Sequence, residues 1–350
     1  MLKVVRGKIK IKRNVWKVLT GVCRSLRIMD VARSVGIPYT TAVDIVNKLK
    51  DRVPMSFVPK LKELNLSLLA IFAEGKIDDV DSMPFMVGSR RFIGIGGMIS
   101  LFNALVPTEY INEYLNLIQE RGYKPLKVVV GRRVYHWLPE SELTLYDPRA
   151  EALGVDTKKL HKFEEIVDKI KFELRREDGG SKSIVDWLDI AIIQAKVEYA
   201  FEKLSKVKEF VMSKYGVPVS KQLLSYHFNR HVVSLWRYNS VRMYLDMNEV
   251  PIQAFLFEGR ESDIIARLLV EMPYFIAAYI DHGSSLALGQ PPCNILSEVY
   301  EIISSFDVKL PLSQLIMKGD SMVKNKVDLL EYFRDGKWVF PREKILQITP

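Results

Sequence analysis

Residues 215–232, YGVPVSKQLLSYHFNRHV, combine a glycine turn, a serine and an amphipathic run rich in hydrogen-bonding and cationic side chains. Sliding the chain by 180 positions lays residues 35–53, VGIPYTTAVDIVNKLKDRV, over residues 215–233. The glycines, the prolines and a hydroxyl residue coincide between the two segments. Two short helices joined by a tight glycine-containing turn are typical of a helix-turn-helix, in which the second helix carries many hydrogen-bond donors. The sequence therefore predicts one such unit in each half of the chain.

Three further pairs of segments repeat in the same order along the chain. Residues 68–76 (LLAIFAEGK) match residues 252–260 (IQAFLFEGR), and SMPF at 82–85 matches EMPY at 271–274. Residues 105–118 likewise match residues 290–303, and the offset drifts only from 180 to 189, as small loop insertions would cause. Self-similarity of this kind indicates duplication. We expect two tandem copies, roughly residues 1–150 and 183–350.

Length and composition place the chain among ordinary globular proteins. Its 350 residues, 48% hydrophobic and 27% charged, suffice for two or more domains. There is no apolar run of 18 residues and no secretory signal at the amino terminus, so we expect no membrane span and a cytoplasmic location. The two cysteines, Cys23 and Cys293, are too far apart in sequence to indicate a disulfide framework or a CxxC metal site.

The net charge of +9 is unevenly distributed. Residues 1–60 hold 14 Lys and Arg against three acids, and residues 203–244 hold eight against Glu209 alone. Two basic blocks in an otherwise acidic chain predict two patches that face a polyanion, whereas lysines that only keep a protein soluble would be spread more evenly. With the two helix-turn-helix patterns, this distribution favours double-stranded DNA as the partner.

The second helix of each unit carries side chains suited to DNA. Short polar groups at its start can reach base edges, and cations and amides along its exposed face can bind phosphates. Thr40 or Thr41 in one copy and Ser220 in the other are the predicted N-caps, and Ser205 the predicted start of the preceding helix. The predicted DNA contacts are Tyr39, Thr40, Thr41, Asn47, Lys48, Lys50, Ser220, Lys221, Gln222, Ser225, Tyr226, Asn229, Arg230 and His231.

A metal site is the alternative for the second of these helices. His227 and His231 stand four positions apart, which would let two imidazoles share one zinc ion. However, no cysteine is near them in sequence and no acid lies between them, so the metalloprotease arrangement with its general-base glutamate is absent. We therefore expect no metal here, and DNA contact or a purely structural role remains for this pair.

Downstream of each unit the pattern changes to short apolar runs, which predict the order βαββαβ of a ferredoxin-like module. The fold class expected is α+β, with two copies of a winged helix-turn-helix followed by that module. Between them, Leu160, Phe163, Val167, Ile170 and Leu174 step by three and four, as in a helix packed against its own domain. The expected domains are residues 1–60, 61–150, a linker helix at 151–182, 183–245 and 246–350.

This order resembles the archaeal and bacterial Lrp/AsnC family of transcriptional regulators. The resemblance rests on residues 35–53 and 215–233, on the strands ending FAEG and FLFEG, and on the helices opening VPTEYINEYL and PPCNILSEVY. It implies a DNA-binding domain, a module through which chains dimerise, and a small amino-acid-like effector. A tandem chain departs from the family, because one chain already supplies two halves. An effector would bind near the glycine turns, at Gly94, Gly96 and Gly97 or at Asp281, His282 and Gly283.

The sequence shows none of the catalytic motifs that we sought, including GxSxG, a Walker loop, HExxH and a Cys-His pair. GIGG at 94–97 lacks the spacing of a phosphate loop and is interpreted as a β-turn. Asp78, Asp79 and Asp81 are interpreted as a solvated face. We therefore predict a non-enzymatic, cofactor-free, nucleoid-associated transcriptional regulator. The alternatives are a replication-origin or partition protein with tandem winged helices and a scaffold whose winged helices bind proteins.

Overall fold

The computed structural model describes residues 4–5, 7–74, 83–176, 184–319 and 321–341. Within them the fold is mixed α+β with a large antiparallel sheet. Most of the expected helix at 76–86, the three clustered aspartates and the break at 178–183 lie outside the described residues. The helices are α1 (Arg13–Cys23), α2 (Ile28–Val35), α3 (Tyr39–Leu49), α4 (Ile111–Glu120), α5 (Thr157–Leu160), α6 (Phe163–Arg176), α7 (Trp187–Glu198), α8 (Leu204–Tyr215), α9 (Lys221–His227), α10 (Ser262–Leu269) and α11 (Cys293–Ser304).

The strands form one large sheet and three small ones. None of the helices among the described residues combines the length and the apolar content needed to cross a bilayer. The strands are β1 (Val4–Val5), β2 (Lys8–Lys10), β3 (Met55–Pro59), β4 (Leu66–Glu74), β5 (Met86–Gly94), β6 (Gly97–Pro107), β7 (Pro125–Gly131), β8 (Arg133–His136), β9 (Thr144–Asp147), β10 (Ala152–Val155), β11 (Trp236–Val241), β12 (Gln253–Glu258), β13 (Phe275–Asp281), β14 (Ser284–Gly289), β15 (Leu315–Met317), β16 (Val323–Lys324), β17 (Phe333–Arg334) and β18 (Lys337–Trp338).

Two three-helix units, α1–α3 and α7–α9, stand where the repeats predicted them. The second helix of each ends at a glycine in the left-handed conformation, Gly36 with φ of 66° and Gly216 with φ of 68°. A side chain is strained there, so glycine ends the helix. Ser220 is an N-cap as predicted, because its side chain accepts from the Leu223 amide. The other predicted caps are wrong: α3 follows Pro38 and α8 follows Lys203, neither with a side-chain cap.

The two halves of the chain share a strand pair. β3, which follows the first three-helix unit, pairs antiparallel with β11, which follows the second. Asn239 on β11 is fully buried, and its amide donates to the carbonyl oxygens of Val22 and Ser25 at 2.9 and 2.7 Å. The strands that follow the two units therefore form one shared two-stranded sheet, which joins the two repeats.

The large antiparallel sheet closes on itself. Its strands are hydrogen-bonded in the order β7-β4-β6-β5-β15-β12-β14-β13-β8, and β16 pairs with β5. Only Arg132 separates β7 from β8, so the two ends of this order meet in the chain. Asp281 at the end of β13 reinforces the junction, because it accepts from the Val130 amide and pairs with the Arg132 guanidinium at 3.2 Å. The result is a barrel-like ring with an inner face.

The inner face of the ring is mostly apolar. Phe72, Phe92, Leu101, Leu256 and Leu286 are all fully or almost fully buried there, within one cluster. The apolar stripe predicted for the linker helix also packs inward, since Val167, Ile170 and Leu174 on α6 belong to the core that contains α10. Polar groups that enter the ring must find partners within it, and they mark the candidate site.

Candidate anion-binding site

Two arginines approach one end of the ring from different parts of the chain. Arg90 lies on β5, two residues before the buried Phe92. Because alternate residues of a strand face the same side, Arg90 points to the inner face. Its Nη1 donates to Asn103 Oδ1 on the neighbouring strand β6 at 2.8 Å. Arg242 immediately follows β11, and its Nη2 donates to Ser56 Oγ on β3 at 2.6 Å.

Neither Arg90 nor Arg242 has an acidic partner among the described residues. Both side chains are partly buried, and the Nε atoms of both, together with the amide nitrogen of Asn103, are buried donors that lack an acceptor within that part of the chain. Burying a cation without a counter-charge is costly, and a buried donor without an acceptor adds to that cost. A ligand that brings negatively charged oxygen atoms would satisfy both requirements.

Tyr244 reports the electrostatic potential at this site. Burial alone would raise the pKa of its phenol, but the positive charges of Arg242, Arg90 and Lys324, with a hydrogen bond from Arg90, hold that pKa below its ordinary value. The Lys324 ammonium lies 5.5 Å from the centre of the Tyr244 ring. A buried phenol whose charged form is favoured lies in a positive potential strong enough to outweigh desolvation. The site is therefore suited to an anion.

His136, at the end of β8, borders the same positive region. Its Nδ1 lies 3.3 Å from the Tyr238 hydroxyl, which also accepts from the His136 amide at 3.2 Å. Burial and the charges of Arg242 and Arg237 lower the pKa of the imidazole to about 3. His136 is therefore neutral at physiological pH.

This lowered pKa predicts an acid-dependent loss of stability. An unfolded histidine, with a pKa of about 6.5, takes up a proton as the pH falls, whereas folded His136 does not until about pH 3. Its contribution is complete above pH 6.5, and about 2 kcal/mol is lost between pH 6.5 and 5. Urea unfolding across this range measures the loss. We expect His136→Gln to flatten the dependence and His161→Gln, at an exposed position, to leave it unchanged; equal slopes for all three proteins would contradict the assignment.

A cavity of about 690 Å³ lies next to this region and is shared by His136, Arg237 and Tyr238. The other cations at its wall are matched by acids. Arg24 pairs with Glu140, Lys169 with Glu142, and Arg267 with both Glu173 and Glu271. Cations that are already paired with acidic side chains do not attract a further anion. The cavity is therefore not an anion-binding site of the kind formed by Arg90 and Arg242.

The residues predicted to contact DNA lie mainly on the outer faces of α3 and α9. Tyr39 and Tyr226 are half-exposed, at 52% and 55%. Several of these side chains already have partners within the protein. Asn229 donates to the Ser225 carbonyl at 2.7 Å, Lys50 lies over the ring of Tyr199, and His231 bonds Asp189. The expected effector positions lie at hairpin turns, β5 to β6 and β13 to β14.

A solved structure of a siroheme decarboxylase shares this fold. The crystal structure of the siroheme decarboxylase NirDL is 14% identical and covers 96% of this chain and 99% of its own, with a TM-score of 0.50. The structure of NirDL in complex with an iron-uroporphyrin III analogue is 13% identical and covers 87% of this chain and 90% of its own, with a TM-score of 0.45. No protein-family model and no curated protein matches the sequence.

The prediction of a non-enzymatic DNA-binding regulator is wrong. The fold that suggested it is shared over 96% of the chain by an enzyme whose name specifies a tetrapyrrole, which contradicts DNA as the partner and leaves nucleoid association unsupported. The two alternatives, an origin or partition protein and a protein-binding scaffold, fit no better. The physical reason is that helix-turn-helix order describes a scaffold, whereas function depends on the groups that the scaffold places together.

Sequence reasoning missed Arg90, Arg242, Tyr244 and His136 as a group. Arg242 was counted in the basic block at 203–244, but it contacts Ser56 and acts on the inner site rather than on an outer DNA-binding face. A signal was present for Arg90, since two adjacent arginines in an apolar strand are costly to bury. That signal does not identify Arg242 as the second cation of the site, because Arg242 lies 152 positions further along the sequence.

Proposed function

We propose that this chain binds a carboxylate-bearing tetrapyrrole at the Arg90–Arg242 site and removes a side-chain carboxylate from it. The observation that carries the proposal is the pair of partly buried guanidinium groups without an acidic partner among the described residues. A functional site is the common reason for retaining such a destabilising feature. The shared fold of the siroheme decarboxylase supports a tetrapyrrole as the substrate class.

The chemistry of the site suits acetate or propionate substituents. Siroheme is an iron tetrapyrrole with several such carboxylates on its rim. A guanidinium group binds a carboxylate through two parallel hydrogen bonds, and the Nε donors of Arg90 and Arg242 are available for them. Because apolar side chains fill the ring beyond Arg90, we infer that the rim carboxylates, and not the whole macrocycle, reach these arginines.

Decarboxylation requires a proton donor near the bound carboxylate. The bond between the carboxylate carbon and its CH₂ group breaks, CO₂ leaves, and the electron pair on carbon must take up a proton to form a methyl group. Tyr244 accepts a hydrogen bond from Arg90, and its pKa is lowered by the adjacent cations, which eases proton release. We assign Tyr244 as the donor; solvent then restores its proton.

The proposed function includes the architecture of a fused pair. We propose that residues 1–60 and 183–245 are winged helix-turn-helix units, that 61–150 and 246–350 are ferredoxin-like modules, and that 151–182 links them, as in two Lrp/AsnC-like chains joined in tandem. The β3–β11 pair and the closed ring support this division, because each joins one half to the other. The helix-turn-helix units then act as a scaffold that places Ser56 and Arg242 beside the ring.

Titration of the full-length protein with siroheme, followed by absorbance under anaerobic conditions, tests the proposal. We expect saturable binding, and mass analysis after incubation should show loss of CO₂ from the ligand. Arg90→Met should weaken binding by about 30-fold or more, because it removes one partner of a buried charge pair. Arg149→Met, at an exposed turn, is the matched control. Absence of binding, or equal affinity of the two variants, would refute the proposal.

A further inference from the structure

A second group of side chains converges far from the Arg90–Arg242 site, between α7 and α9. Asp186 and Asp189 lie at the start of α7, His227 is the last residue of α9, and His231 lies in the π-helical turn Phe228–Val232. One ligand atom from each of the four lies within 4.8 Å of the others. We call these four residues the α7–α9 cluster.

The distances within the α7–α9 cluster suit a small cation. His227 Nδ1 lies 2.9 Å from Asp189 Oδ1 and 3.4 Å from Asp186 Oδ2, and His231 Nδ1 lies 3.0 Å from Asp189 Oδ2. Four ligands about 2.1 Å from a tetrahedral zinc ion are separated by roughly 3.4 Å from one another. These three separations are equal to this value or slightly shorter, and all four ligand atoms lie within 4.8 Å of one another, so small side-chain shifts would admit the ion.

The carboxylates of the cluster are already oriented by the backbone. Asp186 Oδ1 accepts from the amides of Leu188 and Asp189, and Asp189 Oδ2 accepts from the amide of Asp186 at 2.9 Å. These bonds form the capping box at the start of α7 and hold Asp186 Oδ2 and both oxygens of Asp189 near the imidazoles. Hydrogen bonds that fix ligand orientation are a regular feature of metal sites.

Burial and access also favour a bound cation. The Asp189 side chain is fully buried and that of His227 is 10% exposed, whereas those of His231 and Asp186 are 35% and 53% exposed. A buried carboxylate needs a counter-charge, and the ammonium of Lys196 on the same helix donates instead to the Glu202 carbonyl at 2.6 Å. The partly exposed side gives an ion a path from solvent.

The π-helical turn places His231 in the cluster. His231 lies in this turn, four residues after His227, and both imidazoles meet the Asp189 carboxylate. Single π turns within helices are frequent at functional sites. In the structure both imidazoles are hydrogen-bonded to Asp189, and the experiment distinguishes this arrangement from a metal-bound one.

We propose that the α7–α9 cluster binds one zinc-type divalent cation through two imidazole nitrogens and two carboxylate oxygens. Imidazole and carboxylate together suit zinc, and two protein segments held by one ion would fasten α9 to α7. The ion is a structural one in this assignment and takes no part in the reaction at Arg90 and Arg242.

Metal binding by the tag-free, full-length protein tests this assignment. After chelator treatment, competition with a chromophoric chelator should show one equivalent of Zn²⁺, and Co²⁺ should give the absorption of a four-coordinate site. Asp189→Asn and His231→Gln should each lower the affinity at least about tenfold. The second variant alters a partly exposed residue, so it keeps the test valid if the first fails to fold.

Two controls identify the ligands. His161→Gln and Cys293→Ser remove exposed groups outside the cluster and should leave the stoichiometry at one and the affinity unchanged. Binding below half an equivalent in the wild-type protein would overturn the proposal, as would binding that persists unchanged in His231→Gln. Siroheme binding is measured separately, so failure of either proposal is distinguishable from failure of the other.

Discussion

Replacing Arg90 and Arg242 together by methionine should stabilise the ligand-free protein and weaken siroheme binding by about a thousandfold or more. Methionine keeps the apolar stem and removes two partly buried charges that have no acidic partner among the described residues. Replacing buried charges by hydrophobic groups of similar volume often stabilises a protein by about 1–4 kcal/mol. Loss of two guanidinium–carboxylate contacts accounts for the fall in affinity.

The measurements for this pair are urea unfolding without ligand and absorbance titration with siroheme. Arg267→Met is the matched contrast, because Arg267 is a buried arginine paired with Glu173 and Glu271. Its removal leaves the buried Glu271 carboxylate without a cationic partner and should destabilise the protein by about 3–5 kcal/mol. If the double variant were instead destabilised as strongly as Arg267→Met, the two arginines would have a structural role, and the site would lose its main support.

Tyr244→Phe should lower the rate of decarboxylation by about 100-fold or more and change siroheme affinity only slightly. The phenylalanine keeps the ring but removes the hydroxyl that we assign as the proton donor, and positioned general acids contribute about 10²–10⁴ in rate. The lowered pKa of Tyr244 adds a second signature. The wild-type rate should fall at alkaline pH as the phenol ionises, at a pH below the ordinary tyrosine value.

Single-turnover rates at saturating siroheme, measured across pH, separate these effects from binding. Tyr279→Phe is the control, because Tyr279 lies on the same inner face and burial raises the pKa of its phenol, which makes it a poorer donor. We expect Tyr279→Phe to retain most of the decarboxylation rate and the fall in that rate at alkaline pH, which is the alkaline limb of the pH profile. An alkaline limb that survives in Tyr244→Phe would assign the proton donor to another group.

The basic block at 203–244 shows why charge in the sequence misled the functional prediction. Its arginines were assigned to an outer surface facing DNA. In the structure the Arg237 Nη1 donates to the Val134 carbonyl on β8 at 3.1 Å, and Arg242 reaches Ser56 on β3. Both cations thus act at the ring and not on the outer face of α9. The net charge of a segment gives the number of charged side chains but not whether they point to the outer surface or to the ring.

The sequence by itself determined the local elements and their repetition. Glycine at 36 and 216 ends a helix because only glycine takes the left-handed conformation without strain, and Ser220 starts one because its hydroxyl accepts from a free amide. Short apolar runs similarly predicted the strands ending FAEG and FLFEG, which are β4 and β12. Each of these effects depends on neighbours within a few positions, so it can be recognised in one sequence without a structure.

Only the tertiary structure decided the sites. Arg90 on β5 and Arg242 after β11 act on the same phenol, that of Tyr244. Packing of α7 on α9 supplies His227 and His231 with a carboxylate that lies 38 and 42 positions earlier. No periodic pattern links such residues, because their proximity follows from strand order and helix packing across the whole chain. The chemistry of the protein therefore depends on long-range contacts that the repeat pattern does not specify.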